Sequence, residues 1–214
     1  GGAFDPPDFF TTTLSTDVTD KNGHRRPTGL QQRLAMNDEY RRRYGDRVHA
    51  HFFNGGPLTP ERAAAMWTAR SASMNDAIVA ESARWGDFRR DVNPGRWSKD
   101  QFDLYTRDEH YLPVHEWLLD TYIPQRSDIV LEQLRNRSLY PKSGAPDFSV
   151  HGGMVAQGTE VLLGSSVQYT TDGSDPRLPG GNPNAISGSS LVLNESTHLK
   201  ARKRTIFGDW SALT

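Results

Sequence analysis

The sequence predicts an α+β chain in two pieces, mostly helical to about Pro141 and then a small antiparallel β-sandwich. Apolar residues recur at helical spacing from Leu30 to Leu134, and beyond Pro146 they fall into short runs separated by turn residues. Between the two patterns lies Lys142-Ser143-Gly144-Ala145-Pro146, a loop string. With 214 residues the chain can bury one large core or two small ones.

Residues 1–27 carry Gly1-Gly2, Pro6-Pro7, Asn22-Gly23 and Pro27 among Thr and Asp, which predicts mostly loop. From Thr28 the residues Leu30, Leu34, Tyr40, Tyr44, Val48 and Phe52 fit two helices broken near Asn37. Arg41, Arg42 and Arg43 read as a solvated helix face. Asn54-Gly55-Gly56-Pro57 stops this run, and Thr59-Pro60-Glu61 starts the longest helix with an N-cap hydroxyl and a proline at its first position. Trp67, Met74, Ile78, Glu81 and Trp85 lie on one stripe, predicted to be core, and Gly86 closes the helix as a C′ residue. Residues 87–107 predict a turn at Asp91-Val92-Asn93-Pro94-Gly95 and a cap for a short helix at Ser98. Pro113 and Pro124 each open a further helix, the first with Val114, Trp117, Leu118 and Tyr122 inward, the second with Ile129, Val130, Leu131 and Leu134. The helical part spans 1–141.

The β part spans 147–214. Its six expected strands begin at Phe148, Glu160, Val167, Ser190, Thr197 and Trp210, with a long loop around Gly180, Gly181 and Pro183.

Composition narrows function mainly by exclusion. Lys and Arg number 25 against 26 Asp and Glu, so no net field draws the chain to nucleic acid. No apolar run approaches the roughly 20 residues that span a bilayer. The absence of cysteine removes disulfides, thiolate nucleophiles and Cys-based zinc sites. GxSxG, GxxxxGK[ST], HExxH and Rossmann glycine patterns are also missing. The sequence starts as if in mid-chain, which leads us to expect a piece of a longer parent.

Tyr169-Thr170-Thr171-Asp172-Gly173-Ser174-Asp175-Pro176 is the most distinctive string. Asp-Gly supplies a turn with positive φ, and Asp175 before Pro176 can bond nearby backbone. Asp172 and Asp175 could alternatively ligate calcium, although the periodic acidic ligands of a calcium loop are lacking. His110 and His115 stand five apart around Pro113, a spacing that does not place them on one helical face. Glu81, Arg84 and Trp85 are assigned a structural role, with Glu81 and Arg84 as an intrahelical pair.

Three strings together, RVHAHFFNGGPLTPE, AIVAESARWGD and YIPQRSDIVLEQLRNRSLYP followed by APDF, resemble the C-terminal half of CotH-family proteins, over roughly residues 28–146. VQYTTDGSDPR, LKARKR and the closing WSAL resemble the chitobiase/β-hexosaminidase C-terminal, fibronectin-III-associated module, over about 147–214.

The first resemblance implies part of an atypical kinase-like fold, whose intact parent would use ATP with magnesium or manganese to phosphorylate protein hydroxyls. The second implies an Ig-like β-sandwich. The family's acidic metal motif corresponds here to Phe4-Asp5-Pro6-Pro7-Asp8-Phe9-Phe10, which keeps an Asp without the Glu two residues on. Asp5 and Asp8 are therefore metal-ligand candidates for the parent, with an ordinary loop as the competing reading. Phosphoryl transfer needs a Lys on the phosphates, acidic metal ligands and a base in one cleft, and most of those parts would lie upstream.

The expected function is thus the non-catalytic C-terminal portion of a secreted or cell-surface protein, using no cofactor itself, with the sandwich as a structural or carbohydrate-associated module. Surface proteins, polysaccharide and the upstream parent chain are the expected partners. Two alternatives stay open: participation in a kinase, and a glycan-binding module built on Tyr169 and Trp210 with Phe207, with Asp172 and Asp175 nearby.

Overall fold

The computed structural model describes residues 13–19, 29–92, 104–178 and 180–214. They form an α+β chain with five named α-helices and two small antiparallel sheets. Two compact units are present: Gly1–Asp17 with Pro57–Val130, and Val18–Gly56 with Leu131–Thr214. Helices before the glycine-rich stop at residues 54–56 thus share a unit with the β strands.

In the first unit, α3 (Pro60–Trp85) follows Thr59 and carries Pro60 in its first turn. Its partners lie on the helical stretch Arg107–Asn136. Trp67 Nε1 donates to His115 Nδ1 (2.9 Å), the Ser71 and Tyr111 hydroxyls are 2.9 Å apart, and Arg107 Nε donates to Asn75 Oδ1 (2.8 Å). Positions 67, 71 and 75 are one turn apart on α3, so its contact face is a ladder of polar pairs. This corrects the expected stripe. Ser71 is the buried residue, Trp67, Met74 and Ile78 are half-buried, and Glu81 and Trp85 are exposed.

Gly86, expected as the C′ residue, is the C-cap itself and is right-handed (φ −60°, ψ −29°). A glycine fits here because the Tyr105 backbone comes close. Tyr105 N donates to Gly86 O at 2.9 Å, and a Cβ on residue 86 would lie 2.6 Å from Tyr105 O. Asp91 and Val92, expected to begin a turn, instead close a π-helical turn, Phe88–Val92, and the rest of that turn and the cap expected at Ser98 lie outside the described residues.

Beyond Thr106 the chain is helical through Asn136, alternating α4 (Leu112–Trp117) and α5 (Ile123–Asn136) with π-helical turns at Arg107–Tyr111 and Leu118–Tyr122. Each π turn ends just before Pro113 or Pro124. A proline ring inside a helix crowds the carbonyl four residues back and lacks the N–H that would bond it, and a widened turn relieves both.

In the second unit, α1 (Gly29–Leu34) and α2 (Asp38–Phe52) meet at the predicted break. Asn37 caps α2, its Oδ1 accepting from Tyr40 N at 3.0 Å. The strands are β1 (Thr159–Leu162), β2 (Val167–Thr170), β3 (Ile186–Ser187), β4 (Ser190–Leu193) and β5 (Lys200–Lys203). β1 pairs with β4, and the second sheet runs β3-β2-β5, all antiparallel.

Three of the six expected strands are corrected. Residues 148–150 contribute one backbone bond, Ser149 N to Leu162 O, and 197–199 precede the regular strand. The Trp210 run is not a full strand, yet Ser211 N bonds Lys203 O, and Ala201 and Thr214 exchange both backbone bonds. Phe148, Val161, Leu163, Val167, Tyr169 and Ala201 form the buried core, flanked by Val150, Leu191, Leu193 and Leu199.

Candidate functional site: an arginine held by two carboxylates

Side chains of successive strand residues point to opposite faces of a sheet. Ala201 lies opposite Tyr169 and faces the core, which leaves Arg202, opposite Gln168, on the other face. There it meets the carboxylate of Asp46 on α2. Arg202 is only 1% exposed, an unusual place for a guanidinium.

All five of its N–H donors are used. Nε and Nη2 donate to the two oxygens of Asp175, each at 2.7 Å. Nη1 and Nη2 donate to the two oxygens of Asp46 at 2.8 and 2.7 Å, and Nη1 also donates to Ser211 O at 2.8 Å. Asp46 accepts Leu213 N, and Asp175 accepts Arg177 N, both at 2.9 Å. Both acids therefore join a strand-bound cation to a second segment. Burial opposes ionisation of Asp175, but the Arg202 hydrogen bonds prevail and hold its carboxyl below the usual range. Burial likewise opposes the charge on Arg202, and its two carboxylates outweigh that and raise its pKa.

A second pair strengthens the same junction. Arg177 Nη2 donates to Glu39 Oε2 at 2.6 Å, and Glu39 stands two helical turns before Asp46 on α2. One further turn along, His49 packs against Phe53 and Tyr140. The Thr214 hydroxyl donates to Pro146 O (2.9 Å), so it accepts from His49 Nε2 (3.2 Å), and Nδ1 accepts from the Tyr140 hydroxyl (3.1 Å). Burial favours the neutral form of His49 and depresses its pKa. A cavity of about 790 Å³ opens beside this cluster, with His49, Phe53, Phe148, His151 and His198 in its walls.

The YTTDGSDP turn is internally bonded. Asp172 Oδ1 accepts from the Ser174 hydroxyl (2.6 Å) and Ser174 N (2.8 Å), Oδ2 accepts from Asn184 Nδ2 (2.8 Å), and these bonds lower its pKa to about 2. Gly173 has φ +77°, and a Cβ there would sit 2.5 Å from His198 Nδ1. Both conditions call for glycine.

Of the residues singled out from sequence, Asp175 joins the arginine node and Asp172 organises the adjacent turn. Tyr169 lies in the core, so its ring is closed to a ligand. Trp210 is half-buried, with the Arg204 guanidinium over its ring at 5.4 Å. Trp85 is 50% exposed, with the Arg84 guanidinium over its ring at 5.0 Å. Glu81 is exposed on the same helix, and the expected Glu81–Arg84 pair is not among the ion pairs of the described residues. Asp5 and Asp8 lie outside the described residues. His110 and His115 bond different partners, Thr106 N and Trp67.

Sequence reasoning missed Arg202 and Asp46. The alternation Leu199, Ala201 in LKARKR did place Arg202 off the core face, but nothing local signals that a helix carboxylate meets it there.

No family model, curated protein or solved structure matches this chain.

Proposed function

We propose that this chain is the non-catalytic C-terminal portion of a secreted or cell-surface CotH-like protein, in which an Ig-like β module of the chitobiase C-terminal type supports α-helices of a partial kinase-like fold. The reading rests on the resemblances of residues 28–146 and 147–214. One observation carries the supporting role: the Asp175 turn and the β5 residue Arg202 close on Asp46 of α2. A guanidinium with every donor satisfied fixes one geometry, as a structural joint requires.

Titrating magnesium–ATP or manganese–ATP into this chain tests the non-catalytic part, with no binding heat expected. Saturable binding would overturn it. The supporting role is tested by Arg202→Met, which is expected to destabilise α2 and the strands together. A loss confined to the strands would contradict it.

A further inference from the structure

The geometry points to an acidic-polysaccharide site in a groove of about 500 Å³ between the start of α2, the segment after α5 and the turn following β5. Arg41, Arg42, Arg135 and Lys142 line it together with Phe207 and Trp210. Asp38 and Asp209 also line it, so the cations outnumber the anions by four to two. Arg41 is engaged by Asp38 and by Ala35 O, and Arg135 reaches Glu132 at 3.5 Å. Arg42 and Lys142 are exposed and have no ion-pair partner among the described residues.

The turn bearing Phe207 is well formed. Gly208 N bonds Thr205 O, Thr205 N bonds Asp209 O, and Asp209 N bonds the Thr205 hydroxyl. This ordered turn nevertheless holds Ile206 and Phe207 95% and 86% exposed. A rigid turn that presents an aromatic ring beside uncommitted cations suits a ligand with an apolar face and regularly spaced anions. Sugar rings stack on aromatic faces, and carboxylates pair with guanidinium forks. A groove also accommodates a chain better than a flat bilayer. The site is separate from the arginine node, so it stands whether or not the supporting role holds.

Affinity electrophoresis of the whole chain in gels containing polygalacturonate, neutral dextran or polyglutamate tests this. Retardation by polygalacturonate alone is expected, weakening with salt because exposed charges are screened. Arg42→Glu with Lys142→Glu should weaken it about tenfold or more, since each reversal replaces an attraction with a repulsion. Phe207→Ser should weaken it severalfold while the chain stays folded by circular dichroism.

No retardation at low salt would overturn the proposal. So would equal binding of polyglutamate, which would reduce the site to charge alone, or retardation unchanged in both variants. Binding to phosphatidylglycerol vesicles without binding to polygalacturonate would overturn it in favour of a membrane-facing turn.

Discussion

The Asp46 carboxylate and the Arg202 guanidinium meet through two parallel hydrogen bonds, 2.8 and 2.7 Å long, across 156 residues of chain. Asp175 closes the other side of the same cation. Arg202 therefore carries more of the junction than either acid, and replacements should rank accordingly. Arg202→Met leaves two carboxylates facing each other without a cation and should cost about 3–5 kcal/mol. Asp46→Asn leaves Arg202 paired with Asp175 and should cost less, about 1–2 kcal/mol. Urea unfolding followed by circular dichroism measures both, and the reverse ranking would count against the geometry.

Acidification should weaken the fold in two stages. Burial lowers the pKa of folded His49 below the ordinary imidazole value of 6.5, so the unfolded chain takes up a proton first. Its contribution is complete above about pH 6.5 and is lost as pH falls through that value towards the lower folded pKa. Asp175, also lowered, contributes fully above the ordinary carboxylate value of 3.8, and that contribution is lost as pH falls from there through its lower folded pKa. His49→Gln should flatten the first stage in a series of denaturation curves from pH 8 to pH 3, leaving the second in place.

Gly173→Ala combines a backbone strain with a contact that can be relieved. The positive φ persists whatever the neighbour does, whereas His198 is exposed and can swing aside. A loss of about 1–2 kcal/mol is expected from the strain. Adding His198→Ala should recover at most a minor part. Full recovery in thermal melts would show that the steric contact dominates.

Two aromatics in the β part should respond in opposite ways. Tyr169→Ala empties a core position and should cost about 3–5 kcal/mol. Phe207→Ser removes a ring already in water and should change stability by no more than about 0.5 kcal/mol. Denaturant midpoints of the two variants give the comparison.

Much of the fold was legible because it rests on local chemistry. Asn37 caps where the apolar period breaks, Pro60 opens α3, and Gly173 sits where the Asp-Gly turn requires it. The contact face of α3 was misread because Trp67, Ser71 and Asn75 pair through hydrogen bonds, and apolar spacing is blind to those. Strand ends were misplaced where single backbone bonds, such as Ser149 to Leu162, replace a continuous ladder. The arginine node was out of reach for a different reason. Asp46 reads as an ordinary helix carboxylate and Arg202 as one of several strand cations until packing brings 156 residues of separation to hydrogen-bond distance.

The most direct test of the supporting role is native-state hydrogen exchange on the whole chain and on Arg202→Met. The account predicts that amides of α2 from Asp46 to Phe52 lose protection together with those of β2 and β5, because one guanidinium ties α2 to β5 and to the turn after β2, and β2 pairs with β5. Undiminished protection in α2 while the strands open would contradict it and make the β part an appendage.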